Sequence, residues 1–160
     1  MCRPHGYQVD RAQRKSFMEL ALDEARQAAL FGEVPIGAVL VHDGQVIAKA
    51  GNRTIALNDP TAHAEILVIR EGCTHFQSQR LPDCDLYVTL EPCPMCAAAI
   101  SFARIRRLYY GAQDVKGGAV ESGSAYFSQS ICHHAPEVYS GINETQSARL
   151  LRDFFRQRRD

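Results

Sequence analysis

Two short motifs, His63-Ala64-Glu65 and Pro92-Cys93-Pro94-Met95-Cys96, constrain this chain more than any other feature. They supply one imidazole, two thiols and one carboxylate. Zinc prefers neutral imidazole and thiolate in a tetrahedron, and a catalytic site keeps three protein ligands with the fourth corner open to water. For His63, Cys93 and Cys96 to share one ion, the two segments that carry them must converge in space. Glu65 is then the carboxylate with a different task, that of a proton carrier in metal-assisted hydrolysis.

The local sequence makes that convergence feasible. Asn58-Asp59-Pro60-Thr61 offers turn and cap chemistry ahead of a predicted helix over 62–70, with Gly72 as its stop. The run 86–90 reads as a short strand, Pro92 suits a first helical turn, and the alanine-rich stretch 93–102 reads as a helix. Strand 108–110 follows, so the economical topology is a strand-helix-strand unit with a parallel, right-handed crossover. His63 and Glu65 then fall in the first turn of one helix, and Cys93 and Cys96 at the start of another. A helix N-terminus stabilises anions, so both thiols are expected to ionise readily. Two thiolates also cancel the charge of zinc, which lessens its acidifying pull on water and leaves work for Glu65.

The other elements are ordinary. Ser16 and Glu19 have capping-box spacing before an amphipathic helix that ends near Gly32. Strands 36–41 and 46–50 flank Asp43-Gly44, a hairpin turn signal. Residues 111–137 read as loop with a short helix near 126–131, and the last helix runs over about 144–158. A chain of 160 residues with 46% hydrophobic content fits one domain spanning 1–160 and can bury one core.

Charge and cysteine usage narrow the setting. Eighteen Lys plus Arg balance eighteen Asp plus Glu, so any nucleic-acid partner must be met by a local patch. The first residues are charged with no apolar h-region, and no apolar run approaches the ~18 residues of a membrane span. Six cysteines without a secretory signal imply a reducing cytoplasm. Cys73 and Cys84 read as small buried or partly buried residues, and Cys2 as part of a frayed terminus.

A closed structural zinc knuckle, or buried cysteines with no metal, is the competing account of the two motifs. It needs a fourth ligand from Cys73, Cys84, Cys132, His75, His133 or His134, and none stands at a matching spacing. Cys132-His133-His134 reads as a loop or helix end rather than a ligand set, because adjacent residues rarely reach one ion well.

With these motifs in order, the chain resembles the zinc-dependent cytidine deaminase-like superfamily and, within it, the bacterial tRNA-specific adenosine deaminases. The likeness runs from Glu33-Val34-Pro35-Ile36-Gly37, through Asp59-Pro60-Thr61-Ala62-His63-Ala64-Glu65 and Tyr87-Val88-Thr89-Leu90-Glu91-Pro92-Cys93, to Asp153-Phe154-Phe155-Arg156. It implies a three-layer α/β/α sandwich around a five-stranded mixed sheet, with a short fifth strand near Val138 and Tyr139. It also implies one zinc per subunit on His63, Cys93 and Cys96, attack of activated water at C6 of adenine, and Glu65 as the proton shuttle.

The product would be inosine at the wobble position of a tRNA, and family precedent points to an arginine tRNA with an ACG anticodon. Asn52 matches a position that hydrogen-bonds the target nucleotide; taken alone it reads as a turn asparagine. Asp114 and Lys116 match polar positions of a loop that contacts the anticodon loop; taken alone, that stretch is a Gly-rich surface loop. The family forms homodimers, and the alanine-rich helix is equally suited to pack against a second copy or under the sheet.

The C-terminal helix adds its own support for RNA. Arg149, Arg152, Arg156 and Arg159 share one face, while Leu151, Phe154 and Phe155 are placed to pack inward. Five arginines against two aspartates over residues 149–160 leave a net charge of three, the pattern of a phosphate-binding stripe or of a solvated amphipathic face. Arg104, Arg106 and Arg107 are candidates to extend it. The zinc motif serves many deaminases, so a free-base or nucleotide deaminase acting on guanine, cytosine or dCMP stays open. A noncatalytic zinc-stabilised RNA-binding module is the alternative from another class.

Overall fold

The computed structural model describes residues 15–159; Cys2 and the side chain of Arg159 lie outside the described residues. Five strands form one sheet in the order β2-β1-β3-β4-β5, with β1 Gly37–His42, β2 Gln45–Gly51, β3 Cys84–Leu90, β4 Arg107–Ala112 and β5 Glu137–Tyr139. The helices are α1 Phe17–Leu30, α2 Ala64–Phe76, α3 Pro94–Phe102 and α4 Glu144–Arg159. β1 pairs antiparallel with β2 and β3, whereas β3-β4 and β4-β5 are parallel. The sheet is therefore mixed, as the resemblance implies.

Period-two alternation in the central strands explains the three layers. Ala38, Leu40, Leu86, Val88, Leu108 and Tyr110 point to one face and join Val68 and Ile69 of α2 and Ile100 of α3 in the main core. Val39 and Val41 point to the other face, where Met18 and Ala21 of α1 meet them, with Tyr87 and Tyr109 packed alongside. α4 packs on the same side as α1, over β4 and β3. β1 is buried on both faces because helices cover both.

Local chemistry sets the boundaries. Ser16 caps α1 by accepting the Glu19 N–H at 3.2 Å. Asp43 and Gly44 both have positive φ, 50° and 73°, which closes the β1-β2 hairpin with the twist that the strands require. Gly72, in contrast, does not end α2, which continues to Phe76 and stops at Gln77 in the left-handed region. Its missing side chain answers a packing need, since a Cβ there would lie 2.3 Å from Leu40 Cδ2. The second crossover helix likewise starts one turn position later than its sequence pattern indicates: Cys93 is the N-cap, and Pro94 occupies the first turn. The expected helix over 126–131 is a single 3-10 turn, Tyr126–Ser128.

The register brings one end of the sheet to a common level. Gly37 opposes Gly51, and Leu90 opposes Ala112, so Asn52, Cys93 and the loop after β4 all leave the sheet at that end. At the opposite end, Arg106 makes two hydrogen bonds of 3.0 Å to Asp85, and Arg107 reaches Glu137 at 3.1 Å. These arginines tie β4 to β3 and β5, at the end of the sheet away from Cys93. Among the described residues, no helix is long and apolar enough to cross a membrane.

Leu86, fully buried in the central β3, is the test of this core. Leu86→Ala is expected to lower the unfolding free energy by about 2–5 kcal/mol, read as a fall in the denaturant midpoint.

Candidate active site

The two strand-to-helix turns at the shared end of the sheet build the site. Before α2, Asp59 Oδ1 accepts the Thr61 N–H at 2.8 Å and its hydroxyl at 2.7 Å, and Asn52 Oδ1 accepts the Ala64 N–H at 2.9 Å. His63 is left as the N-cap of α2 with extended backbone, and its ring makes no capping bond. Cys93 stands in the same relation to α3. Both side chains are thus free to face each other across the gap between the helix N-termini.

They meet at ligand distances. His63 Nδ1 lies 3.6 Å from Cys93 Sγ and 3.5 Å from Cys96 Sγ. A tetrahedron with Zn–N of 2.0–2.1 Å and Zn–S of ~2.3 Å has an N···S edge of about 3.5 Å. The three residues therefore fit zinc, and no other group of three ligating side chains among the described residues is brought together in this way. Among the described residues no fourth ligand joins them, and the geometry there is that of an open site rather than a closed knuckle. The chain binds zinc through His63, Cys93 and Cys96.

Electrostatics favour a cation at this point. The hydrogen bond from Cys96, joined by His63 and opposed by burial, pushes the Cys93 thiol down to about 4. Cys96 moves the other way, because it donates to Cys93 and is more deeply buried. Contact with Cys93 raises the His63 imidazole above its ordinary value. Cys93 is therefore the more readily ionised of the two; the helix N-termini favour both thiolates, and a cation shared between them offsets their mutual repulsion.

Glu65, 4% exposed, sits in the first turn of α2 with Oε2 3.4 Å from Cys96 Sγ. Burial raises its carboxyl above the usual range, against the lowering effects of its own backbone N–H and the His63 charge. A carboxyl raised by burial beside a metal site is positioned to exchange a proton with a group held there.

The remaining expected residues surround this centre. Asn52 is 6% exposed, and because its Oδ1 is taken by Ala64, its amide NH₂ is the group left to donate. Asp114 Oδ1 closes its own turn by accepting the Lys116 and Gly117 N–H groups, and Lys116 is exposed. A cavity of about 470 Å³ lined by Val34, Leu90, Ala112, Asp114 and Phe155 adjoins the Cys93 end of β3.

Arg149, Arg152 and Arg156 are exposed on α4 and make no ion pair among the described residues. Phe154 is buried under Arg158, whose guanidinium lies 4.4 Å from its ring, but Phe155 is 46% exposed and faces that cavity instead of the core. The Cys132-His133-His134 segment is bound to the far end of α3, with Cys132 3.5 Å from Ser101 Oγ and His134 2.8 Å from the Ile105 carbonyl. It lies away from the zinc ligands at the N-terminus of α3.

Two residues that pattern reading passed over are Glu33 and Glu91, both 2% exposed. Glu33 accepts from Thr54 Oγ1, Ile55 N and Ala56 N in the loop that follows Asn52. Glu91 organises the loop after β4. Their signal in the sequence is a carboxylate inside an apolar run and close to a proline, which is costly unless its partners are built in.

Comparison with known proteins agrees with this geometry. Residues 11–112 match the model of the cytidine and deoxycytidylate deaminase zinc-binding region. The chain is 70% identical over 148 residues to the tRNA-specific adenosine deaminase of Agrobacterium fabrum, covering 92% of this chain and 97% of that one. A solved structure from work on A-to-I editing by tRNA:A34 deaminases at the wobble position of tRNA superposes with a TM-score of 0.85 at 71% identity, covering 86% of this chain and all of the other. The guanine deaminase of Bacillus subtilis is more distant, with a TM-score of 0.61 at 31% identity over 95% of this chain and 96% of that one. The open His-Cys-Cys centre, the mixed sheet that holds it and these likenesses place the chain in the cytidine and deoxycytidylate deaminase zinc-binding family, and within it among the tRNA-specific adenosine deaminases.

Proposed function

We propose that this chain hydrolyses adenosine to inosine at the wobble position of tRNA, with an ACG-anticodon arginine tRNA as substrate. The observation that carries the reading is Glu65 buried against the His63-Cys93-Cys96 centre, in a chain so similar to tRNA-specific adenosine deaminases. When bound, zinc supplies a Lewis acid that acidifies water at the open position. Glu65 accepts one proton of the attacking water and delivers it to the purine ring nitrogen, then carries the remaining proton of the new C6 hydroxyl to the amino group, which departs as ammonia, so that one water is consumed for each ammonia released. Asn52, with its carbonyl oxygen held by Ala64, offers its NH₂ to an acceptor on the target nucleotide.

Recognition of the anticodon loop falls to the rim. Extruding the target base from a stacked loop costs a few kcal/mol, which contacts at its flanks offset. Asp114 and Lys116 after β4, and Arg156 and Arg159 with the rest of the α4 stripe, are the residues assigned to those contacts. We further assign one domain to residues 1–160, a homodimer, and a reducing cytoplasm. The exposed Phe102 on α3 and Ile131 support the dimer, and Cys73, Cys84 and Cys132, none of them paired in a disulfide among the described residues, support the compartment.

Incubation of the zinc-loaded protein with an ACG anticodon stem-loop, read by mass, is expected to convert the wobble adenosine alone. Guanine, cytosine, cytidine and dCMP in parallel should remain intact, and turnover of one of them without RNA conversion would overturn the substrate assignment. Glu65→Gln should retain zinc and lose about 10²–10⁴-fold in turnover, a range set by general acid-base catalysis; a variant within tenfold of the parent would remove the shuttle role. Arg156→Glu should leave zinc content intact, weaken stem-loop binding and reduce the magnitude of its log-log salt slope by about 1 or more, as loss of a phosphate contact requires. Unchanged affinity at moderate salt would exclude Arg156 from the RNA face.

A further inference from the structure

Glu91 is a buried carboxylate that the hydrolytic step does not use. It lies between Leu90, the last residue of β3, and Pro92-Cys93, so it is two residues from a zinc ligand. Its Oε2 accepts three backbone N–H groups, Val120 at 3.0 Å and Glu121 and Ser122 at 2.9 Å each. Its Oε1 accepts the Asp114 N–H at 3.0 Å and the Ser122 hydroxyl at 2.9 Å. The two ends of the 114–122 loop thus close on one side chain. Its neighbours repeat the connection, with Glu91 N–H donating to Ala112 O and Ala119 N–H to Pro92 O, both at 2.9 Å. The fit is tight, since a Cβ on Gly118 would stand 2.5 Å from both Glu91 Cδ and the Asp114 carbonyl oxygen.

We propose that Glu91 is a positioning residue for the RNA substrate: it fixes the loop that carries Asp114 and Lys116 at a set place relative to the zinc helix. The assignment rests on the tRNA reading above and adds the element that holds the recognition loop to the catalytic centre. Five donors converge on two oxygens, and a glutamine has only one carbonyl oxygen to meet them. Turned toward Val120, Glu121 and Ser122, that oxygen keeps three bonds and sets the glutamine NH₂ against the Asp114 N–H. The Ser122 hydroxyl can rotate to accept, but the Asp114 amide cannot. Loss is therefore directed to the Asp114 end of the loop, while the backbone bonds of Glu91 and Pro92 stay in place.

The test compares Glu91→Gln with the parent and with Ile105→Val, a core substitution at the far end of the sheet chosen as a stability control. Stem-loop deamination kinetics, zinc content and amide hydrogen exchange over residues 113–122 are read on each. Glu91→Gln should keep stoichiometric zinc, raise KM for the stem-loop about tenfold or more with kcat little changed, and speed exchange in that loop; Ile105→Val should do neither. If the glutamine variant fails to fold, Gly118→Ala, which displaces the loop with Glu91 intact, should give the same KM shift.

A KM unchanged in a folded Glu91→Gln protein, an equal shift in Ile105→Val, or loss of zinc together with turnover would each overturn the assignment. A parent protein inactive on the stem-loop would instead fault the substrate reading. In that case unaltered loop exchange in Glu91→Gln would still refute the anchor, and accelerated exchange would sustain it.

Discussion

A metal that takes one imidazole and two thiolates requires side chains remote in sequence to end within about 3.5 Å of one another. In this protein the requirement is met by two helix N-termini that point at the same place. Neither helix could be held there by its own stability, since α2 and α3 are short and owe their positions to the apolar faces they bury against β1, β3 and β4. The antiparallel β1-β3 pair and the parallel β3-β4 pair then decide which strand ends lie together. With Leu90 opposite Ala112, the same strand end that launches Cys93 also faces the loop that starts at Gln113. Metal site and recognition rim are consequences of one register.

Three buried glutamates near that end of the sheet show how environment divides identical groups into different tasks. Glu33 receives three donors and Glu91 five, and both are thereby committed to holding loops. For Glu91 the bonds from Ser122, Asp114 and Glu121 overcome the effect of burial and hold the carboxyl below its ordinary range. Glu65 is equally hidden but has only a thiol beside it and its own N–H, so burial prevails and its proton affinity rises. A saturated carboxylate is an anchor; an undersatisfied one beside a metal keeps its proton affinity for other use.

The same contrast explains what could be read before the structure was known. His63, Glu65, Cys93 and Cys96 announce themselves because the chemistry needs particular side chains at fixed short spacings, and the elements that carry them have local caps and turns. The hairpin at Asp43-Gly44, the strand-helix-strand unit and the amphipathic α4 were legible for similar reasons. Glu91 was not, because its partners lie 23 to 31 residues along the chain, in a loop without periodicity. Gly72 misled as a helix stop because its glycine answers to Leu40 across the core rather than to the backbone. Arg106 and Arg107 carry a charge that sequence alone cannot orient; only the pairing of β4 with β3 and β5 reveals Asp85 and Glu137 as their partners.

On α4 the two kinds of arginine separate by geometry. Arg158 turns back, donates to the Gly32 carbonyl and covers the Phe154 ring, so its charge contributes to docking the helix on the end of α1. Arg149, Arg152 and Arg156 point to solvent with no carboxylate to neutralise them among the described residues, although ion pairs elsewhere on this neutral chain are common. Such segregation suits the phosphate contacts proposed for this face, because each cation that neutralises a phosphate releases counterions condensed on the nucleic acid. Phe155, on the side of the helix that faces the Val34-Leu90-Asp114 cavity, places an aromatic ring between that stripe and the catalytic end of the sheet. In the proposed complex, backbone phosphates on the arginines and bases toward the cavity would let a single-stranded loop meet both surfaces.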